Sequence, residues 1–379
     1  MSKHQIQKPK FKKSNSFKPA STNYPYAFFK TQDTIQLTPE FNSAIIVKDE
    51  TVLLPISLFI NSNTFSFVNN LENLFLPLKN DTNLHNKKLL IIRYGGIGDV
   101  ISSLFAISEL KNKYPTVKIG YLTSFKNIPI LKNFPNLIDY FSQPIVKLSS
   151  LKQFDYVSCL DNTIENDEDS KILSLHEIFA KYLSVQISHN TINDIFKYNL
   201  LYALKSNKLG IGIQYKSNAI IRNYDIDKTS ELINLLTERF PSEPIVLLGP
   251  PNDYVPIEYL LSKNAKKGLI VNGCGFKKYD MAEIIEIVNN LKIVIGPDSS
   301  MIHIAGISNI PIIGLFGSFP SNLRLKHYNN AIGIDGVTNC SPCFKHNPQA
   351  FCKANNGMGI CLNSISPQLI MDNIQQILI

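Results

Sequence analysis

The chain has 379 residues, 44% of them hydrophobic and 18% charged, with a formal net charge of +8 at pH 7. That balance excludes an intrinsically disordered chain, and no apolar run approaches the ~18–20 residues of a membrane span. The length accommodates two domains of ordinary size and a short extra segment.

The amino-terminal stretch carries lysines but no apolar core of a secretory signal, so a cytoplasmic protein is expected. Its charge is local. Seven lysines (Lys3, Lys8, Lys10, Lys12, Lys13, Lys18 and Lys30) precede the first acidic residue, Asp33, and beyond them 31 basic residues face 30 acidic ones. Residues 1–30 are therefore read as a disordered Lys-rich tail. A solubilising leader is the plain reading, and a peripheral contact with an anionic surface, at the inner membrane for example, is the alternative. Aromatic interleaving of the sort used to bind single strands is weak there, which disfavours nucleic acid. Residues 31–87 carry short β-rich runs (Ser43–Val47, Thr51–Leu54, Thr64–Val68) broken by Asn, Asp and Pro. They predict a small β-rich extension without a chemical motif.

From Lys87 the pattern becomes alternating. Leu89–Arg93 is a compact run suited to a buried parallel strand. The turn Gly95-Gly96-Ile97-Gly98-Asp99 follows, then a helix over Val100–Lys113 with apolar Val100, Leu104, Ile107 and Leu110. Pro115 ends it and Lys118–Leu122 is the next strand. Strand-like runs near Val146 and at Tyr156–Leu160, and a helix near Leu173–Leu183, complete residues 88–204. A second series spans 205–365: strand Leu209–Gln214, helix Lys228–Arg239, strands Ile245–Leu248 and Leu269–Val271, helix Met281–Asn290, strand Ile293–Ile295, a short helix from Asp298 and strand Ile312–Phe316. Two blocks of alternating strands and helices imply an α/β fold of two facing, doubly wound, Rossmann-like domains. Residues 366–379 predict a terminal helix with Ser366 as N-cap and Pro367 at its first position.

Two turns carry chemistry. The spacing G-G-x-G-D is not the dinucleotide fingerprint, which argues against a nicotinamide or flavin site. Asp99 opens a helix at the carboxyl edge of a sheet, either capping that helix or placed to take a proton from a hydroxyl. At the second turn, Gly296-Pro297-Asp298-Ser299-Ser300-Met301, backbone amides at a helix start form an anion site to which the serine hydroxyls add donors. His303, one turn further, is either a core histidine or a phosphate donor. Asp161, Glu165, Asp167, Glu168 and Asp169 form an acidic run, read as a solvated loop, with binding of an acceptor or a cation as the alternative. Cys340, Cys343, Cys352 and Cys361 fall within 22 residues, at spacings a tetrahedral structural Zn or Fe site can use, with His346 as an alternative ligand; reduced thiols in a polar loop are the other reading. Cys159 and Cys274 are isolated.

Leu90–Val100 resembles the opening strand and glycine turn of glycosyltransferase family 9, the heptosyltransferases. Ile295–Ala305 resembles their donor motif, Asp-Thr/Ser-Gly-x-x-His-x-Ala, and Cys340-Ser341-Pro342-Cys343-Phe344 a further stretch seen in many members. The resemblance covers about residues 88–379. It implies a GT-B fold and inverting transfer of a sugar, heptose from ADP-heptose above all, to a hydroxyl of a glycolipid, glycan or protein. No catalytic metal or other cofactor is implied. Carried over by motif, Asp99 is the general base and Gly95, Gly96 and Gly98 form the acceptor-side loop. Asp298, Ser299, Ser300, Met301, His303, Gln214 and Gly249 hold the donor, and Arg222 neutralises the leaving diphosphate. The sequence departs from the family pattern at Ser300, where glycine is usual, at Arg222, near where lysine is usual, and in residues 1–87. Some relatives that modify autotransporters carry both an N-terminal addition and a cysteine-bound iron, which keeps a protein acceptor open. The other readings are a non-catalytic sugar-nucleotide-binding or scaffold protein of the same fold, and a glycosyltransferase acting on nucleic acid.

Overall fold

The computed structural model describes residues 26–31, 35–36, 45–46, 51–55, 65–69, 78–142, 146–147, 151, 153–200, 210–249, 254–264, 270–272, 281–345 and 350–378. Its first strands are β1 (Tyr26–Thr31), β2 (Ile35–Gln36), β3 (Ile45–Ile46), β4 (Thr51–Pro55) and β5 (Phe65–Asn69). β1 lies between β5 and β4, antiparallel to both, and Val146–Lys147 joins the outer side of β4. This corrects the extent of the tail. Tyr26–Lys30 was read as its end, yet the aromatic-rich sequence YAFFKT is a paired strand. Residues 1–25 lie outside the described residues.

The first α/β unit comprises β6 (Lys88–Ile92), α1 (Ile97–Lys113), β7 (Lys118–Leu122), β8 (Tyr140–Ser142) and β10 (Tyr156–Cys159), then α2 (Leu175–Tyr182) and α3 (Thr191–Tyr198), with the intervening β9 (Val146–Lys147) being the strand paired to β4. Its sheet is parallel throughout, in the order β10-β6-β7-β8, with Ile92 opposite Cys159 on one side and Leu122 on the other. The chain changes direction across the sheet between β6 and β10. In open α/β sheets, that switch leaves a crevice outside the carboxyl ends of the strands. Arg93 and the glycine turn follow β6 directly, and Asp161 follows β10.

The second unit comprises β11 (Ile211–Ile213), α4 (Ile226–Arg239), β12 (Ile245–Leu247), α5 (Tyr254–Asn264), β13 (Ile270–Asn272), α6 (Met281–Asn289), β14 (Ile293–Pro297), α7 (Ser300–Ile307), β15 (Ile312–Phe316), β16 (Ala331–Asp335) and α8 (Pro367–Leu378). Its six parallel strands run β13-β12-β11-β14-β15-β16. This is the doubly wound order, with its switch point between β11 and β14. Gln214 and Asp298 emerge there. α8 begins as its sequence indicates: the Ser366 hydroxyl accepts from the Leu369 amide at 3.1 Å. It lies on α4, burying Ile370 and Ile374 in the core of the second unit.

α1 is buried on nearly every side, because it is wedged between α2 and the second unit's α7. Its polar Ser102, Ser103 and Ser108 are as buried as Leu104 and Phe105. A helix enclosed all round loses the one-sided pattern of a surface helix, and small side chains let its neighbours come close. The apolar core is consequently continuous across the two units. Leu104 and Phe105 of α1 share one cluster with Ile302 and Ile304 of α7 and with Tyr328, each such side chain contributing roughly 1.5–3 kcal/mol relative to exposure.

Candidate active site

The first turn is organised around a buried guanidinium. Arg93, 5% exposed at the end of β6, places Nη2 2.5 Å from Asp99 Oδ2 and donates from Nη1 to Asp161 Oδ1 at 2.9 Å. Burial alone would lower the Arg93 pKa, but Asp99, Asp161 and Glu165 outweigh it and raise it. Asp161 also accepts from the amides of Tyr94 at 3.0 Å and Gly95 at 3.3 Å, so it latches the turn from below. Asn127 donates to the Gly95 carbonyl at 3.0 Å. The glycines answer to close approach. A Cβ on Gly95 would lie 2.9 Å from the guanidinium carbon, and one on Gly96 3.2 Å from Asp99 Oδ2. Gly96 is the N-cap of α1, so Asp99 does not cap the helix. It sits in the first turn, near the positive end of the helix dipole, with its carboxylate turned to Arg93.

The second turn is organised around a buried carboxylate. Asp298 is 6% exposed; its Oδ2 lies 3.2 Å from Arg222 Nη1 and 3.4 Å from Arg324 Nε, and its Oδ1 3.7 Å from His303 Nε2. Burial would raise its pKa, yet Arg222, His303 and Arg324 together hold it well below the usual carboxylate range. Two guanidiniums around one carboxylate leave positive charge in excess, beside the amino end of α7. Ser299 is the N-cap of α7, but its hydroxyl donates to Gln214 Oε1 instead of capping, which ties β11 to β14 across the switch point. Ser300 is half-buried at the first helical position, and the Met301 side chain is in the core, so Met301 can serve a ligand through its amide alone. His303 Nδ1 and the Tyr328 hydroxyl share a hydrogen bond of 2.9 Å. Gly249 is buried just past β12.

The two turns meet. A Cβ on Gly98 would come within 2.6 Å of His303 Cδ2, and the ring has little freedom to yield because Tyr328 holds it. Gly98 therefore lets the Asp99 turn of one unit close on the Asp298 turn of the other.

Sequence reasoning missed Arg93, Asp161, Arg324 and Tyr328. Arg93 and Asp161 had a usable signal, a charged residue at the carboxyl end of a buried strand; Arg324 and Tyr328 had none. The acidic run is corrected in part. Asp161 and Asp167 are buried, and Asp167 caps a short helix through the Asp169 amide while pairing with Lys181 at 2.9 Å; Glu165 and Glu168 are exposed.

Cys340, Cys343, Cys352 and Cys361 share a corner of the second unit. Cys343 packs against the small cluster of Ala219, Ile221, Ala350 and Cys352, and Cys361 is close enough to Cys343 and Cys340 to feel their charge. Cys340 is exposed, while Cys352 and Cys361 are buried. Among the described residues no three His, Cys, Asp or Glu side chains gather as a metal-holding group. His346 and Cys274 lie outside the described residues.

A buried histidine seals the contact between the units. His176 of α2 is fully buried, edge-on to Phe105 at 4.3 Å, His327 at 5.1 Å and Tyr328 at 5.4 Å. Neither ring nitrogen has a hydrogen-bond partner among the described residues. Burial, then His327, His303 and Arg324, holds its pKa well below the usual value. The unfolded chain takes up this proton near pH ~6.5, which the folded chain refuses. Stability is thus fully present above that pH and falls, by up to roughly 1.4 kcal/mol per pH unit, as the pH drops towards the folded pKa. Urea unfolding at pH 5, 6 and 7 is expected to show a shallower acid loss in His176→Leu than in wild type. His327, whose pKa burial also lowers, contributes to the slope that remains. Equal slopes would remove His176 from this role.

A model of glycosyltransferase family 9 (heptosyltransferase) matches residues 166–353. Lipopolysaccharide heptosyltransferase 1 of Campylobacter coli is 23% identical over 294 residues, covering 62% of this chain and 85% of that protein. Among solved structures, ADP-heptose lipopolysaccharide heptosyltransferase II of E. coli superposes with a TM-score of 0.55 at 15% identity, covering 76% of this chain and 98% of that one. The iron-containing dodecameric glycosyltransferase TibC of enterotoxigenic E. coli gives 0.56 at 11% identity, covering 93% and 91%. A family 9 glycosyltransferase of Veillonella parvula gives 0.56 at 14% identity, covering 79% and 99%. The fold these chains share is GT-B, two Rossmann-like units face to face.

Proposed function

Since the chain is a glycosyltransferase of the family 9, heptosyltransferase type, we propose that it moves heptose from ADP-heptose to a hydroxyl of a lipopolysaccharide-type glycan, by inverting displacement and without a catalytic metal. The observation that carries this reading is the closure of the Asp99 turn on the Asp298–His303 turn through Gly98. Each turn lies at the switch point of its own sheet, so an acceptor over the first and a donor over the second meet end to end.

In this scheme the acceptor hydroxyl approaches Asp99, whose carboxylate Arg93 holds in place. The oxygen attacks the anomeric carbon from the face opposite the diphosphate and its proton passes to Asp99. The bond from the anomeric carbon to the β-phosphate oxygen breaks, and ADP departs with the electron pair. Charge on the leaving group is met by the amides at the start of α7, by Arg222 and by His303, in a setting largely closed to water. Met301 contributes an amide, Ser299 and Gln214 brace the loop, and Gly249 lines the same edge of the sheet. The relatives support the donor and acceptor: the E. coli enzyme is an ADP-heptose heptosyltransferase and the Campylobacter coli one a lipopolysaccharide heptosyltransferase. The cysteine cluster takes no part in the reaction. Among the described residues no helix is long and apolar enough to cross a membrane, and a lipid-borne acceptor would be met from the membrane surface.

The test is incubation with ADP-heptose and a panel of truncated lipopolysaccharide cores, with intact proteins as a second panel. The expected result is a glycan gaining one heptosyl unit with release of ADP, and inverted anomeric configuration by NMR. Modification of protein alone would replace the acceptor, and transfer only from another nucleotide-sugar would replace the donor. Absence of any transfer with good nucleotide binding would favour a binding protein of the same fold.

A further inference from the structure

Arg324 has no place in the family motifs and none in the scheme above, yet it is 2% exposed and reaches Asp298 Oδ2 at 3.4 Å. A buried arginine costs several kcal/mol in desolvation unless it is well paired, so its position calls for an explanation. Its guanidinium carbon stands 4.0 Å above the centroid of Phe319, a ring 4% exposed. Phe319 meets Phe344 edge-to-face at 5.5 Å. Phe344 closes the Cys340–Phe344 motif with φ at +52°, a strained value for an aromatic residue, and its amide donates to the Ser318 carbonyl at 2.8 Å. Beyond it, Lys171 of the first unit lies 5.8 Å over the Phe344 ring. The stack therefore runs Lys171, Phe344, Phe319, Arg324, Asp298, from one unit to the carboxylate of the other. Arg222 has 19% of its side chain exposed, whereas Arg324 has 2%.

We propose that Arg324 is the positioning residue for Asp298, clamped flat on Phe319 with the Phe344 loop behind it, so that Asp298 is held in one orientation towards the hydroxyls of a nucleotide-sugar donor. This rests on the reading that Asp298 belongs to the donor site. It gives the Cys-Ser-Pro-Cys-Phe motif a role that needs no metal: its loop seats Phe344 against the platform of Arg324. A planar, always-charged guanidinium suits a stacked position that a lysine ammonium fills less well.

The test is calorimetric titration of ADP into wild type, Arg324→Met, Arg324→Lys, Asp298→Asn and the double variant Asp298→Asn/Arg324→Met, between pH 4.5 and 7.5. Arg324→Met is expected to weaken ADP by roughly tenfold at neutral pH and by more towards acid, because Arg324 is one of the three groups that hold Asp298 ionised. Arg324→Lys recovers part of the loss. In the Asp298→Asn background the same change adds less than about twofold, since residues acting through one another are not additive. Equal losses in both backgrounds, or no loss with an unchanged pH profile, would overturn the proposal. Phe319→Leu, alone and with Asp298→Asn, supplies the same cycle should Arg324→Met fail to fold. If wild type binds no ADP, the donor-site reading fails and takes this inference with it. If wild type binds and the cycle is additive, the inference alone fails.

Discussion

Asp99→Asn is expected to slow transfer by about a thousandfold, within the 10²–10⁴ range of general-base catalysis, while ADP affinity changes by less than about twofold. The substitution keeps the shape of the side chain and removes its capacity to take a proton. It does not strand a buried charge, because Arg93 retains Asp161 at 2.9 Å and the nearby Glu165. The effect should therefore fall on the rate and leave the fold intact, as circular dichroism and the melting temperature can verify. Transfer at near wild-type rate would mean that another group accepts the proton. A loss of both rate and nucleotide binding would mean that the Arg93–Asp99 pair holds the cleft together and does no chemistry.

The second large effect is expected at Asp298, and it is one of stability as well as binding. Asp298→Ala leaves Arg222 and Arg324 facing each other across the space of their shared counter-charge, 3.2 and 3.4 Å from the missing oxygen. Breaking a buried pair by removing one partner costs about 3–5 kcal/mol, which urea unfolding would read as a lower midpoint. The pH dependence follows from the lowered pKa. A depressed carboxylate contributes stability above its unfolded value, near pH ~4, and loses it as the pH falls towards the folded value. Asp298→Ala should lack that component and lose less on acidification below pH ~4 than wild type. An unchanged midpoint in urea would show that the two arginines find other partners, and that Asp298 is not the hub described above.

Both turns were legible in the sequence because each follows a short apolar run, Leu89–Ile92 or Ile293–Ile295, that gives way to glycine and then to a helix start. Leu89–Arg93 and Ile293–Ile295 could hardly be anything but buried parallel strands. The order of the strands was not legible, since nothing in β11 or β14 states that they will be neighbours across the switch point. For the same reason Asp161 looked like one carboxylate in a solvated run. Its meaning depends on β10 pairing with β6, a fact about residues 67 positions apart. Arg324 was invisible because its partner is a carboxylate on another loop and its platform a phenylalanine five residues back. Tyr26–Thr31 was masked by the lysines before it, which dominate composition over a window wider than a strand. The cysteine spacing suggested a tetrahedral site, but spacing alone does not state that Cys361 will stand near enough to Cys340 and Cys343 to feel their charge, since that depends on how the loop after β16 folds back.

Thermal-shift measurement of the purified protein against ADP, UDP, GDP and CMP tests the central claim most directly. A ligand at ~100 times its dissociation constant adds roughly 2.7 kcal/mol to stability, a readable shift. The account predicts a rise with ADP that exceeds the other three and disappears in Arg222→Met; no rise with any of the four would contradict it.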